Sequence, residues 1–501
     1  MMKKTSSSVK KNPTNVRPKR HTKSGDRYSD LNNGKRLAEK FINDLAFDID
    51  VRQWMYWNGR ILEYNQAAAM DYGKVIAFDI WQEIGRMSKD DFNTFKSAAF
   101  YIQTAKGIAN MIKMAESELA LRTSELDSNP RLLNIQNGII DLSNHHKIKL
   151  LDPDAKHKMT KLGPVIFDPN SKCPIFLKFL SRITDNNAEL KRALQIVLGS
   201  TLEGESYEEA LFILKGRGSN GKTTLMNVYH QLLGSYAKQL TPNFMMAKKT
   251  QEHPTEVADL FKVRFAVSLE PDEGCQLSES FIKWLTGRDV LKGRRMRQDF
   301  WHFNPTHKLF LCVNERPQIT GVTHGTWRRI KEFPFDVTIS DEEKDVMLQE
   351  KLRTELPGIL NWTLEGFRLW KENGSRYYIP EIIKESTRSY MDSQDTVQPF
   401  IDEMCKLGPA DSDEFITPTK DLYEPYESYC LDGSVSIKPL EFRKFKCVLE
   451  SKGLRERKYT KEPFKGILVL SGIRLKTYAD RNEQIKEQEL DNLKQNTYAV
   501  N

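Results

Sequence analysis

The run Gly216-Arg217-Gly218-Ser219-Asn220-Gly221-Lys222-Thr223 fits GxxxxGK[ST] at every required position. Residues of these types at this spacing can hold a nucleoside triphosphate. Gly216, Gly218 and Gly221 let the backbone wrap around phosphates with successive N–H groups turned inward, and Ser219 and Asn220 complete the cradle. Lys222 would bring a cation to the β- and γ-phosphates, and Thr223 a hydroxyl for Mg²⁺, with Thr224 next to it. The flanks supply what must position such a loop. Ala210-Leu211-Phe212-Ile213-Leu214 reads as a buried strand. Thr224 to Leu233 reads as a helix with Leu225, Val228 and Leu232 on one face. The positive end of that helix would add to the anion site.

Triphosphate hydrolysis also needs a carboxylate at the tip of a neighbouring strand, for the metal and the attacking water. Arg264-Phe265-Ala266-Val267-Ser268-Leu269-Glu270 is such a strand, and Glu270 is assigned that role together with a share of the metal. Asp272 and Glu273, beyond Pro271, read as a solvated loop. A third apolar strand, Leu309-Phe310-Leu311-Cys312-Val313, ends in Asn314. An amide there can orient water or meet a γ-phosphate, although a strand-end Asn is also a common turn former. Arg328 and Arg329 stand before a strand-like run, Ile330 to Phe335. Adjacent arginines are usually surface charge, but in an oligomer one of them can reach a neighbouring subunit's phosphate.

Between the second and third strands, Lys292, Arg294, Arg295 and Arg297 fall within six residues with no acid among them. They are either a solvated loop or a hairpin that grips a nucleic-acid backbone, since phosphate contacts need clustered cations and no base reading. Asn137-Gly138 between two apolar runs predicts a two-residue hairpin with both turn positions at positive φ.

The chain has 501 residues, 39% hydrophobic and 29% charged, with net charge +8. That length predicts several domains of ordinary globular composition. No apolar run of about 18 residues occurs, which excludes an obvious membrane span and predicts a cytoplasmic protein. Six scattered cysteines without a CxxC pair argue against a zinc ribbon and a disulfide framework and predict free thiols. The first 25 residues hold eight Lys or Arg and no acid, a composition that predicts a disordered tail, either solubilising or touching phosphates. The predicted layout is 1–35 basic tail; 36–165 N-terminal α/β accessory domain, largely helical to Leu121; and 166–205 helical collar. It continues with 206–340 α/β ATPase with a largely parallel sheet, 341–394 helices, 395–480 C-terminal domain and 481–501 tail. The last domain reads as three helices and a two-stranded ribbon (Ile467–Leu470 with Ile473–Leu475), the pattern of a winged helix. Arg443, Lys444, Lys446, Arg455, Arg457 and Lys458 form its basic edge, suited to DNA or to a docked protein.

The order of these features resembles superfamily 3 helicases of phages, plasmids and poxviruses, and more narrowly the helicase half of phage/plasmid primase-helicases. The resemblance rests on Gly216 to Thr224, His253-Pro254-Thr255-Glu256, Leu285-Thr286-Gly287-Arg288-Asp289, Asn314-Glu315-Arg316-Pro317 and Trp327-Arg328-Arg329. Upstream it extends through Asn137 to Leu142 and Lys172 to Leu180, so it covers roughly residues 50 to 340. It implies a multidomain fold: a mostly helical N-terminal domain, a central AAA+-like α/β P-loop ATPase and a C-terminal winged helix. The implied cofactors are ATP and Mg²⁺. The implied assembly is a homo-hexameric ring moving 3′ to 5′ on single-stranded DNA at forked or origin DNA of a mobile element, with the basic hairpin on the strand. A departure is Pro271, which follows Glu270 where many members carry a second acid. Relatives often carry a primase domain upstream; the short polar segment here predicts a separate primase or other replication partner. The alternative is a P-loop initiator or loader that binds DNA without processive unwinding. A small-molecule or RNA-directed kinase would leave the hairpin and the paired arginines without a role.

Overall fold

Leu211, Phe212, Ile213 and Leu214 are all apolar, so neither face of that strand can meet water. In the computed structural model it lies inside a five-stranded sheet. The order is Ile330–Pro334, Leu211–Lys215, Lys308–Val313, Phe265–Leu269, Ala237–Leu240, with every pairing parallel. The structure describes residues 27–247, 254–271, 275–295, 299–319, 324–432, 439–480 and 482. The basic tail through residue 26, His253, Asp272, Glu273, Arg297 and the tail after 482 lie outside the described residues.

Alternation along each strand builds two cores. Phe212, Leu214, Phe265, Val267, Phe310 and Cys312 pack on one face against helices Lys222–Leu233, Pro174–Ile183, Ala188–Ser200 and Leu356–Glu372. Leu211, Ile213, Ala266, Leu309 and Leu311 pack on the other against helix Glu279–Thr286, a β-hairpin and Tyr390 of helix Glu381–Gln394. Each fully buried Leu or Phe contributes about 1.5–3 kcal/mol. The α/β layer with a parallel sheet is therefore as the sequence predicts.

The chain leaves Leu211–Lys215 for the far edge strand, returns through two strands beside it, and ends on its other side. Connections thus depart on both sides of this strand's C-terminal tip. In open α/β sheets that reversal opens a crevice where ligands bind.

The N-terminal domain is α/β as predicted, with strands also inside the stretch to Leu121 that reads as largely helical. Helices Asp30–Lys40, Gln66–Gly85, Lys89–Ile102 and Ala105–Ala115 pack on a four-stranded sheet ordered Leu62–Tyr64, Gln53–Trp57, Leu45–Asp48, Ala120–Leu121. Trp54 is fully buried in its strand, so the aromatic cluster is a β element. The hairpin at Asn137 forms, but one residue out of the predicted frame. Leu132–Ile135 pairs with Gly138–Asp141, leaving Gln136 and Asn137 as the turn. Gly138 sits inside the strand because a Cβ there would meet the Leu151 carbonyl at 2.6 Å.

The collar is two helices, broken where Asp185 and Asn186 adopt positive φ. The C-terminal domain has the three predicted helices, Val397–Met404, Thr419–Asp432 and Phe442–Ser451. The predicted two-stranded ribbon does not form. Leu468–Ser471 pairs with Ile416–Pro418 and Glu456–Lys458, whereas Ile473–Leu475 pairs with Cys405–Leu407. Gly472, at φ 86°, redirects the chain between them. All six cysteines are free thiols. Among the described residues no helix is long and apolar enough to cross a membrane.

Candidate active site

The strand Leu211–Lys215 runs straight into the glycine-rich loop, and helix Lys222–Leu233 leaves it. Three residues of the loop take positive φ: Gly218 at 95°, Ser219 at 47° and Gly221 at 81°. Space fixes two of the glycines. A Cβ on Gly216 would collide with the Asn220 amide and the Phe335 carbonyl, and one on Gly221 would lie 2.5 Å from Ile183 Cγ2 and 2.9 Å from Phe179 Cε2. The collar helix Pro174–Ile183 therefore forms the floor under the loop. Backbone ties hold the remainder: Gly216 N–H donates to the Val313 carbonyl at 3.1 Å and Ile339 N–H to the Ser219 carbonyl at 2.7 Å. Asn220, almost fully buried, donates to the Phe335 carbonyl at 3.0 Å.

Lys222 is buried in the first turn of the helix. Its ammonium donates to the Gly216 carbonyl at 2.6 Å, Asn220 Oδ1 at 2.9 Å and Asn314 Oδ1 at 3.3 Å. Burial lowers its pKa, while nearby Cys312 and Glu270 act in the opposite direction. Glu270 follows the last residue of Phe265–Leu269, has φ 46°, and donates its N–H to the Cys312 carbonyl at 3.0 Å. Its side chain is exposed at the sheet's C-terminal edge. Asn314 stands in the same relation to Lys308–Val313. Thr223 and Thr224 lie in the first helical turn, both half-buried. The structure thus gathers the loop, Lys222, Glu270 and Asn314 at one edge of the sheet. A cation and a helix N-terminus meeting there can receive an anion, with a carboxylate beside it.

Arg328 and Arg329 are not at that edge. The Leu211 N–H donates to the Arg329 carbonyl at 2.9 Å, so they stand where the parallel strands begin. Five residues of strand, roughly 16 Å, separate them from the loop. Both contact Glu209, at 2.7 Å from Arg328 and 2.6 Å from Arg329. They differ in exposure: the Arg328 side chain is 58% exposed and that of Arg329 9%.

The basic segment is a hairpin in which Leu291–Arg294 pairs with Phe300–Phe303, Lys292 opposite His302 and Arg294 opposite Phe300. Leu291, Gly293 and Phe303 are buried; Gly293 abuts Ala258, whose Cα would be 2.9 Å from a Cβ there. Lys292, Arg294, Phe300 and His302 share the exposed face. Arg295 lies on neither strand; it stacks over Trp301 at 5.2 Å and acts electrostatically on Tyr64 of the N-terminal domain. Lys292, Arg294 and Arg295 are therefore not one patch. Phe300 and His302 escaped a reading that looked for charge alone, although the run Phe300-Trp301-His302-Phe303 alternates as a return strand should.

A second feature missed from the sequence is a buried fork. Arg316, two residues past Asn314, binds the fully buried Glu332 with Nη2 at 2.7 Å.

Residues 34–185 match the family model described as D5 N terminal like. Over 296 residues the chain is 27% identical to Putative helicase L207/L206 of Acanthamoeba polyphaga mimivirus, covering 55% of this chain and 30% of that protein. Over 345 residues it is 28% identical to Putative primase C962R of African swine fever virus (isolate Tick/Malawi/Lil 20-1/1983), covering 64% and 35%. The chain resembles the phage- and poxvirus-type primase-helicases. It spans about a third of the length of these curated relatives. Among solved structures, the apo C-terminal region of NrS-1 aligns over 89% of this chain and 99% of that one, at 10% identity and TM-score 0.49. The matched segment ends at residue 185, just past helix Pro174–Ile183, and so includes the helix that floors the glycine-rich loop.

Proposed function

We propose that this chain is an ATP-dependent DNA helicase serving the replication of a mobile genetic element, working as a homo-hexameric ring on single-stranded DNA. The observation that carries the proposal is the Lys222 ammonium held among Gly216, Asn220 and Asn314, with Glu270 beside it, at the strand-order reversal of a parallel sheet. The parallel five-stranded order supports reading the domain as an AAA+-like ATPase, as the resemblance implies. The viral relatives named helicases and primases support a role in replication.

In this reading the N–H groups of Ser219 to Thr224 and the Lys222 ammonium bind the triphosphate, in a loop that Gly216 and Gly218 shape, and Asn314 orients water toward the γ-phosphate. Mg²⁺ travelling with phosphates takes only one or two protein oxygens. The Thr223 hydroxyl, next to Lys222, and the exposed carboxylate of Glu270, close enough to act on Lys222, fit that requirement. When bound, the ion supplies charge neutralisation at the phosphates; Glu270 polarises the attacking water.

An arginine roughly 16 Å from its own loop cannot meet its own γ-phosphate. Arg328 or Arg329 would therefore act on a neighbouring subunit's site, an effect on the order of 10³–10⁵ in rate where such fingers have been measured. The exposure of Arg328 favours it over Arg329. Lys292 and Arg294 on the exposed hairpin face contact the phosphates of the translocating strand. The C-terminal domain is read as a variant winged helix whose exposed Arg443, Lys444, Arg455, Arg457 and Lys458 face origin or fork DNA.

The test is Lys222→Ala. It should abolish DNA-stimulated ATP hydrolysis while circular dichroism and elution volume stay unchanged; normal turnover would refute the proposal. Strand displacement on forks of both polarities then separates a helicase, expected to move 3′ to 5′, from an initiator or loader that hydrolyses ATP without unwinding.

A further inference from the structure

A cavity of about 1120 Å³ opens between the hairpin's return strand, the N-terminal domain and the base of the ATPase domain. Phe300 and Trp301 line it on one side and the 50–52 turn on another. Phe300 is 46% exposed, a large aromatic ring left open to solvent. The Lys292 ammonium stands 4.4 Å from its centroid and the Arg294 guanidinium 4.9 Å. These two cations hold the ring in place without lining the cavity.

The charge inside differs from that on the hairpin's outer face. Arg52, Lys262, Arg264, Arg288 and Arg295 line the cavity, but so do Asp50, Asp127, Glu205 and Asp299. Three of the cations are already engaged: Lys262 donates to the Asp127 carbonyl at 3.1 Å, Arg264 to the Leu132 carbonyl at 2.6 Å and to the Leu202 carbonyl, and Arg288 to the Tyr207 carbonyl. A phosphate gains little from such a wall. A neutral heterocycle with N–H donors suits it, because carboxylates accept those donors and the aromatic ring offers a face for stacking.

We propose that this cavity is a nucleobase subsite for single-stranded nucleic acid: a base stacks on Phe300 in place of the cations now over the ring, and Lys292 and Arg294 swing onto its flanking phosphates. The proposal rests on the nucleic-acid reading of the hairpin and adds what that reading lacks, a contact to the bases. Stacking of this kind is indifferent to base identity, as a translocating protein requires, since every base has a π-face.

The experiment uses the full chain and fluorescence anisotropy with an oligothymidylate and with an abasic strand of equal length. Phe300→Ala should weaken oligothymidylate binding about five- to a hundredfold and leave abasic-strand binding unchanged. Phe300→Trp should retain wild-type affinity, which a fold defect would not permit. The slope of log K against log salt should be unchanged by Phe300→Ala and shallower by about 0.7 in Lys292→Ala. Equal loss on both strands, or no loss on either, overturns the stacking proposal. If Lys292→Ala and Arg294→Ala both leave affinity and salt slope at wild-type values, the hairpin reading fails and the subsite falls with it. That outcome is distinct from a normal salt slope accompanied by no preference for bases.

Discussion

Removing the Arg316 guanidinium should be among the most damaging single changes in the ATPase domain. Its Nε lies 3.2 and 3.1 Å from the two Glu332 oxygens and its Nη2 2.7 Å from one of them. Glu332 is fully buried; its other side-chain partner is Ser386 Oγ, which donates at 2.6 Å. Arg316 also donates to Ser389 Oγ at 3.1 Å and the Ser386 carbonyl at 3.2 Å. The fork thus clamps helix Glu381–Gln394 to the strand Ile330–Pro334. Arg316→Ala leaves a buried carboxylate with one hydroxyl donor, a situation that costs about 3–5 kcal/mol. Glu332→Gln keeps the shape and drops the charge, leaving Arg316, 23% exposed, partly hydrated. That should cost less, about 1–3 kcal/mol. Replacing both by apolar residues of similar volume, Arg316→Met with Glu332→Leu, should recover most of the loss, because burying an ion pair barely offsets its own desolvation. Hydrogen exchange at the amides of helix Glu381–Gln394 reads this locally, which matters in a chain with several cores. A loss under about 1 kcal/mol in Arg316→Ala, or a double mutant no better than the sum of the singles, refutes the reasoning.

Three shorter predictions follow. Gly221→Ala combines a left-handed backbone with a collision against Ile183 and Phe179; it should cost about 2–5 kcal/mol, read by urea unfolding, and a neutral result would show that the collar helix yields. Burial lowers the pKa of His307 from 6.5 to about 4, its Nε2 lying 3.2 Å from the Leu285 carbonyl. The unfolded chain then binds the extra proton first, so stability is full above pH 6.5 and falls as pH drops toward 4, by about 3 kcal/mol in all. His307→Gln should flatten that slope, and equal slopes in both proteins would rule it out. Arg328→Ala should leave the subunit folded and abolish ATP turnover in the assembly, with partial rescue when mixed with Lys222→Ala subunits. Arg329→Ala should instead lower the melting temperature, because it strips a buried partner from Glu209.

What was legible in the sequence was local. The glycine spacing, the apolar run before it and the amphipathic run after it are short-range signals, and strand, loop and helix stand where those signals put them. What holds the loop was not legible, because its partners come from elsewhere in the chain: Phe179 and Ile183 beneath Gly221, Phe335 against Asn220, Asn314 against Lys222. Apolar runs 467–470 and 473–475 read as a ribbon because so little chain separates them. Pairing is decided by the register of other strands, and Gly472 sends the two to different sheets. The Asn137 hairpin shows the same limit on a finer scale. The turn dipeptide was evident, but the Leu151 carbonyl and the Leu150 side chain, which leave no room for a Cβ on Gly138 in its strand, could not be seen from position 137 alone.

The position of the paired arginines carries the argument about assembly further than any motif does. Within one chain, the loop and Arg328 occupy opposite ends of adjacent parallel strands, and no rotamer of a single side chain spans roughly 16 Å. Glu209, which engages both arginines, precedes the strand that leads into the loop. A rigid-body shift of that strand would therefore move the anchor of Arg328 and the cradle of Lys222 together. If a neighbouring copy supplies the missing cation, each subunit reports on its own loop to one neighbour and receives charge from another. Such a head-to-tail interface closes into a ring only when its rotation permits. Turnover that depends on protein concentration in the wild type, but stays flat in Arg328→Ala, is what this geometry requires.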